Sequence, residues 1–190
     1  MSSGRPLPFD QAFEVAKEAA TRIRPHVVRL KAAGSLRRRN ITVGDLEIVA
    51  EPRMVEADLF GTLAPDLGPL KQELESMGQI VRNGSRFIQV LGLLGHTGLA
   101  LDLFLVHPPA QWGSILAIRT GPWQLGRYCV TAMKERGYAH KEGHVVRTDT
   151  GEVIPTPTEE AFFELAGVEC VPPFRRDELA RRLEAKGATR

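Results

Sequence analysis

The stretch AAGSLRRRNITVGDLEIVAEP, residues 32–52, combines a Gly-Ser pair, three arginines and an Asp-x-Glu motif. In its second half, Asp45 and Glu47 alternate with apolar side chains, which is typical of a strand with one buried face. Two carboxylates on the same face repel each other unless a cation lies between them. Mg²⁺ commonly takes such ligands together with substrate phosphates. The motif therefore indicates either a metal site or a solvated strand face that bears two acids.

The residues before the Asp-x-Glu motif indicate that an anion accompanies the metal. Gly34 permits a sharp turn with exposed backbone amides, and Ser35 adds a hydroxyl donor, an arrangement suited to phosphate oxygens. Arginines follow at positions 37–39, and at least one of them should reach the same anion with its planar set of donors. The stretch as a whole predicts a site for a polyphosphate and its metal ions.

A third carboxylate comes from the apolar segment LALDLFLV, residues 99–106. Asp102 lies there between two leucines, and a charge in such a strand is costly unless it is paired or bound to a metal. The simpler alternative is a buried aspartate that is hydrogen-bonded to the backbone. We favour a metal ligand, which would also accept the proton of a hydroxyl group that attacks the bound phosphate.

The composition is that of a folded protein without a membrane-spanning segment. Of the 190 residues, 43% are hydrophobic and 25% are charged, and no apolar run is long enough to cross a bilayer. The N-terminus lacks the apolar core of a signal peptide, and the two cysteines lie far apart, so we expect reduced thiols in a cytoplasmic protein. The net charge of +2 is too small to indicate nucleic-acid binding by itself.

Hydrophobic periodicity predicts an α+β fold in which helices pack on a mixed sheet. A helix is predicted over residues 8–27, ended or bent by Pro25, and a second helix ends at Gly78; residues 51–65 read as a loop. Strands are predicted in RLKAA (29–33), VGDLEIVA (43–50), QIVR (79–82), SRFIQVLG (85–92) and LALDLFLV (99–106). We place a domain boundary near Pro108, which gives domains of residues 1–110 and 111–190.

The second domain reads as helices and short antiparallel strands. Its predicted elements are a helix in RTGPWQLGRYCVTAMKERG (119–137), strands in YAHKEGHVVRTDTGEVI (138–154) and a charged helix in the tail (175–190). In TPTEEAFFELAG (156–167), Thr156 is the predicted N-cap of a further helix, and Glu159 would complete a capping box.

The stretch GSLRRRNITVGDLEIV (34–49) resembles the Gly-Ser and Asp-x-Asp/Glu signature of the nucleotidyltransferase superfamily. Within that superfamily, its Gly-Ser-x-Arg-Arg and Gly-Asp-x-Glu elements are similar to those of the family X DNA polymerases. The resemblance continues in LDLFLV (101–106), RTGP (119–122) and TEEAFFELAGVECVPPFRR (158–176), so it covers nearly the whole chain. It implies a nucleotidyltransferase-type palm domain over the first predicted domain and a small α+β thumb domain over the second.

Carried over by position, the resemblance assigns three groups of site residues. The catalytic carboxylates, which would ligate two Mg²⁺ ions or Mn²⁺ in their place, are Asp45, Glu47 and Asp102. The nucleotide contacts are Gly34, Ser35 and Arg38 at the triphosphate and Thr120 and Gly121 at the sugar and base. The DNA contacts lie on the helix that meets the nascent base pair, at Trp123, Gly126 and Arg127.

The resemblance implies a minimal DNA polymerase that adds nucleotides to a primer 3′-hydroxyl, as in short-gap repair, and releases pyrophosphate. Its partners would be a nucleoside triphosphate and primer-template or gapped DNA, with no membrane, and it would act as a monomer. Because the chain begins close to the Gly-Ser motif, we expect it to lack the N-terminal lyase domain of the family.

Several positions depart from the family pattern and leave alternatives open. Glu47 stands where the polymerases mostly have Asp, and Phe104 stands where Arg is common. Ile118 and Arg119 replace a usual aromatic pair beside the sugar. A nucleotidyltransferase for a small acceptor such as an aminoglycoside is one alternative, and an inactive nucleic-acid-binding module is another. The second domain argues against the former, and the three carboxylates argue against the latter.

Overall fold

The Asp-x-Glu motif leads into the fourth strand of the chain. The structure, a computed structural model, describes residues 6–187 and the side chains of residues 6–185. The strands are β1 (Leu7–Pro8), β2 (Val27–Ala32), β3 (Thr42–Val43), β4 (Leu46–Pro52), β5 (Met54–Glu56), β6 (Leu63–Pro65), β7 (Gln79–Asn83), β8 (Phe87–Leu91), β9 (Ala100–Leu105), β10 (Tyr138–Lys141), β11 (His144–Arg147) and β12 (Val153–Ile154). The α-helices are α1 (Phe9–Ile23), α2 (Gly34–Arg37), α3 (Gly68–Met77), α4 (Trp112–Thr120), α5 (Trp123–Glu135), α6 (Glu159–Ala166) and α7 (Arg176–Gly187).

Two compact units divide the described chain. They comprise the residues up to Ala32 with Asn40–His107, and Ala33–Arg39 with the residues from Pro108 onward. Compared with the predicted domains 1–110 and 111–190, two segments of the first domain belong to the second unit, Ala33–Arg39 and the short stretch 108–110. The physical reason is that Arg37 and Arg38 form their side-chain hydrogen bonds with residues of that unit.

The first unit is built on a mixed sheet with the strand order β2-β4-β9-β8-β7. β4 and β9 run parallel, and the other three pairs are antiparallel. One face of the sheet is apolar and buried, and its residues include Leu46, Ile48, Ala50, Ile88, Val90, Leu101 and Leu103. Because side chains alternate along a strand, the polar residues of the same strands lie on the opposite face. The predicted α+β class with a mixed sheet is confirmed.

Two helices of the first unit contact this sheet, α1 at β2 and α3 at β8. α1 buries a stripe with three- and four-residue spacing, formed by Ala12, Val15, Ala16, Ala19 and Ile23. It ends as predicted near Pro25, where a short 3₁₀ turn leads into β2. α3 ends at Met77 before the predicted Gly78, where a Cβ would lie 2.5 Å from the carbonyl oxygen of Leu91.

The loop prediction for residues 51–65 is wrong. This segment contains an antiparallel hairpin of β5 and β6. Asp58 builds its turn, because Oδ1 accepts hydrogen bonds from the backbone N–H groups of Phe60 and Thr62 at 2.8 and 3.1 Å. Leu59 and Phe60 at the tip are fully exposed. The hairpin therefore lacks the alternation between buried and polar positions that reveals a strand in sequence.

The second unit combines four longer helices with the antiparallel sheet β10-β11-β12. Its buried core draws on α5, β11, α6 and α7 and includes Leu125, Cys129, Met133, Val145, Phe162, Phe163, Leu179 and Ala180. The predicted N-cap is wrong by two residues: Thr158, not Thr156, caps α6 by accepting from the N–H of Ala161. The hydroxyl of Thr156 is instead buried against that of Ser114, 2.7 Å away. Across residues 6–187, no helix has the length and apolar character needed to span a membrane.

Candidate functional site

Glu47 and Asp102 are direct neighbours on the polar face of the first unit's sheet. They are Cα partners on the parallel strands β4 and β9, so both side chains project from the same face. Adjacent strands lie about 4.8 Å apart, which brings the two carboxylates within reach of a common ligand. Both side chains are partly exposed, so a ligand can approach from solvent.

Asp45 immediately precedes β4, and its carboxylate interacts electrostatically with that of Asp102. Burial of the carboxyl group and then the negative charge of Asp102 raise the pKa of Asp45 above its usual value, although a hydrogen bond to its own backbone opposes them. A raised pKa means that the ionised form is disfavoured at this position. A bound cation would reverse that preference.

Gln89 is a residue of this face that the sequence analysis missed. It is the Cα partner of Asp102 on β8, and its Nε2 donates a hydrogen bond to Oδ1 of Asp102 at 2.8 Å. This contact fixes the orientation of the Asp102 carboxylate. The signal in the sequence is a lone polar residue between Ile88 and Val90, both fully buried, which marks Gln89 as facing away from the core.

The chemistry of these carboxylates fits a hard divalent cation such as Mg²⁺, which prefers oxygen ligands. The raised pKa of Asp45 points in the same direction, because a cation would offset its repulsion by Asp102. In the conformation observed, the described side chains include no cluster of three His, Cys, Asp or Glu residues placed to hold a metal ion together. Metal binding by Asp45, Glu47 and Asp102 therefore stays a prediction.

The residues predicted to bind phosphate lie in the second unit. Gly34 and Ser35 begin α2, a single helical turn that ends at Arg37. Gly34 has a φ of 58°, a backbone conformation that favours glycine over other residues. Gly34 is buried and Ser35 is partly exposed. The sharp turn expected at this pair is thus present directly after β2.

Arg37 belongs to a buried ionic network that the sequence analysis missed. Its Nη1 and Nη2 donate to Oε1 and Oε2 of Glu159 at 2.7 and 2.5 Å, and Nη1 of Arg176 donates to Oε1 at 2.8 Å. Burial alone would raise the pKa of Glu159, but hydrogen bonds and charges from Arg37 and Arg176 outweigh it and hold the pKa below its usual value. The capping-box role predicted for Glu159 is wrong, because its carboxylate binds two guanidinium groups instead.

Arg38 lies beside Thr120 and Gly121, so the structure brings these three predicted nucleotide contacts together. Its Nη1 donates to the carbonyl oxygen of Thr120 at 2.6 Å, and its Nε donates to both carboxylate oxygens of Asp177 at 3.1 Å. Gly121 has a φ of 68°, and a Cβ there would lie 3.1 Å from Nη1 of Arg38. The side chain of Thr120 is fully buried and accepts from Arg37, so it has a structural role. A nucleotide contact stays a prediction for Arg38, Thr120 and Gly121.

The residues predicted to contact DNA share one exposed side of α5. Gly126 and Arg127 lie three and four residues after Trp123, which places both beside Trp123 on the same helix face. Trp123 is 66% exposed, and the guanidinium carbon of Arg127 lies 5.9 Å from the centroid of its ring. An exposed aromatic ring beside a cation can stack on a base and contact a phosphate.

Two known proteins are similar to the chain over most of its length. It is 26% identical over 176 residues to the DNA polymerase/3′-5′ exonuclease PolX of Bacillus subtilis (strain 168), across 90% of this chain and 28% of that protein. It is 26% identical over 191 residues to DNA polymerase lambda of Rattus norvegicus, across 90% of this chain and 33% of that protein.

The chain thus spans about a third of the length of the curated relatives it matches. Both relatives are family X DNA polymerases, so the resemblance to that family is confirmed. No protein-family model matches the chain.

Proposed function

We propose that this chain is a metal-dependent nucleotidyltransferase of the family X DNA polymerase type. It would add a nucleotide to a primer 3′-hydroxyl and release pyrophosphate, as in short-gap synthesis. The observation that carries the proposal is the register of β4 and β9, which pairs Glu47 with Asp102 on one face of the sheet. Both similar proteins are DNA polymerases, which favours DNA as the acceptor.

The carboxylates would act in distinct ways. Asp45, Glu47 and Asp102 would hold Mg²⁺, which when bound lowers the pKa of the primer hydroxyl and neutralises the departing phosphates. Asp102 would also accept the proton of that hydroxyl, in an orientation maintained by the hydrogen bond from Gln89. Glu47 has one methylene more than aspartate, so its carboxylate reaches farther from the strand.

The second unit would supply contacts to the nucleotide and the DNA. Ser35 and Arg38 would bind the triphosphate, with Gly34 providing the turn that exposes the backbone amides. Trp123 and Arg127 on α5 would meet the nascent base pair and its backbone. In the terms of the family, residues 1–110, which include Ala33–Arg39 of the second unit, would act as a palm, and residues 111–190 would act as a thumb.

Primer extension tests the proposal most simply. The protein is incubated with labelled nucleotide, Mg²⁺ and either gapped DNA, single-stranded primer or a panel of aminoglycosides. We expect label to enter the gapped DNA, and extension to cease with a chelator and in Asp45→Asn, which removes one of the three carboxylates. Transfer of label to a small acceptor instead of DNA would contradict the assignment as a polymerase. No transfer of label to any acceptor would contradict the assignment as a nucleotidyltransferase.

A further inference from the structure

The side chain of Arg38 is mostly buried, whereas that of its ion-pair partner, Asp177, is partly exposed. The side chain of Arg38 is 13% exposed, whereas that of Asp177 on the first turn of α7 is 39% exposed. Asp177 can therefore move into solvent at small cost, while Arg38 remains in place through its hydrogen bond to the carbonyl oxygen of Thr120. The two partners of this ion pair are thus unequal in burial and in the number of groups that hold them.

The contact between Arg38 and Asp177 is also the weaker of two neighbouring ion pairs. A single N–H of Arg38, at Nε, is shared between both oxygens of Asp177, each 3.1 Å away. By contrast, Arg37 makes two separate hydrogen bonds to Glu159, at 2.7 and 2.5 Å. Charge-assisted bonds of full strength are usually about 2.7–2.9 Å long. Arg37 is therefore fixed in the fold, whereas the partner of Arg38 can be exchanged.

We propose that Asp177 is an internal competitor that occupies Arg38 until a polyphosphate displaces it. A phosphate group is also an oxygen anion, but it carries more charge than a carboxylate and offers more acceptor atoms to the guanidinium. While Asp177 stays in place, its negative charge also repels an approaching anion. Asp177 thereby sets a threshold for triphosphate binding and disfavours weakly charged anions. This inference rests on the proposed function, because it takes Arg38 as a phosphate ligand.

Titration with inorganic tripolyphosphate, without Mg²⁺, measures this competition apart from the carboxylates of the first unit. Asp177→Asn removes the charge and keeps the shape, and we expect it to bind tripolyphosphate about tenfold more tightly than the unchanged protein. The matched control is Glu178→Gln, which removes the same charge from the next, exposed residue of α7 and should change affinity less than about twofold. In an Arg38→Gln background, the gain from Asp177→Asn should vanish.

Primer extension with the same variants separates this inference from the proposed function. Asp177→Asn should lower the KM for nucleotide and leave kcat nearly unchanged. Equal affinities in Asp177→Asn and Glu178→Gln would overturn the competition, and so would weaker binding in Asp177→Asn, which would make Asp177 a positioning residue. If either of these two binding results is found and the wild-type protein still extends primers, the competition by Asp177 is excluded and the proposed function stands. If every variant neither binds tripolyphosphate nor extends primers, the proposed function fails with it.

Discussion

Replacing Glu159 with alanine should destabilise the second unit strongly. Its carboxylate accepts three hydrogen bonds, two from Arg37 and one from Arg176. The Arg176 side chain is 1% exposed and the Arg37 side chain is 12% exposed, so neither guanidinium can recover its hydration when Glu159 is lost. The change therefore leaves two buried positive charges side by side without a counter-ion.

The size of the effect follows from this burial. Removing one partner of a buried ion pair costs about 3–5 kcal/mol, because the remaining charge stays desolvated. That is a large part of the roughly 5–15 kcal/mol by which a domain is usually stable. An exposed pair in the same unit gives the contrast: Arg182 and Glu169 lie 3.7 Å apart and are 53% and 71% exposed, so Glu169→Ala should cost about 0–1 kcal/mol.

Urea unfolding followed by tryptophan fluorescence measures this difference. The two tryptophans of the chain, Trp112 and Trp123, both lie in the second unit, so their emission reports on the unit that contains Glu159. Because the folded pKa of Glu159 lies below its usual value of 4.5, its stabilisation is present above that value and is lost as the pH falls through the folded pKa. The difference in free energy of unfolding between wild type and Glu159→Ala should therefore become smaller below pH 4.5. Equal losses of stability for Glu159→Ala and Glu169→Ala at pH 7 would show that Glu159 does not offset the buried charges of Arg37 and Arg176.

Three further outcomes are expected. Gly113→Ala should destabilise the second unit by about 1–3 kcal/mol in urea unfolding, because its Cβ would overlap the Thr158 carbonyl oxygen, whereas Gly126→Ala, with nothing within 4 Å, should be neutral or stabilising. Burial raises the pKa of Cys129 to about 12. In a Cys170→Ser variant, which removes the second and partly exposed thiol, Ellman's reagent at pH 8 should therefore react only after unfolding; fast labelling of that native variant would contradict this. The pKa of Asp45 is raised in the folded protein, so its ionised carboxylate destabilises the metal-free fold at pH 7. Asp45→Asn should therefore raise the Tm of the metal-free protein. Added Mg²⁺ should raise the Tm of wild type but not of Asp45→Asn.

The elements that the sequence predicts well are those that bury one face at a regular period. The apolar spacing in α1 and the alternation in β4, β8 and β9 arise from the core itself, so they are visible without the partner elements. Glu47 and Asp102 can be recognised in the sequence for the same reason, because each is an acid within an apolar strand, and the structure pairs them. The hairpin over residues 54–65 was missed because its turn depends on the side chain of Asp58 and its tip packs on nothing in the described residues.

The ionic partners of the arginines could not be predicted. Arg37 and Glu159 are 122 residues apart in the chain, and Arg38 and Asp177 are 139 apart, and no local pattern links such positions. Local rules gave Glu159 a capping role, which tertiary contacts with Arg37 and Arg176 override. The sequence thus predicted that cations follow the Gly-Ser turn, but not that the fold engages two of them.

Asp102→Asn tests whether Asp102 is the catalytic metal ligand that we propose. Asparagine keeps the size of the side chain and an oxygen that can accept the hydrogen bond of Gln89, so the circular dichroism spectrum should match wild type. The urea midpoint of the metal-free protein should be equal or higher, because the charge that repels Asp45 is removed. Nucleotidyl transfer should fall by about 10²- to 10⁴-fold, together with Mg²⁺ affinity, whereas Glu47→Asp should retain measurable activity. Primer extension by folded Asp102→Asn at the wild-type rate, or loss of its fold, would show that Asp102 is not the proposed catalytic ligand.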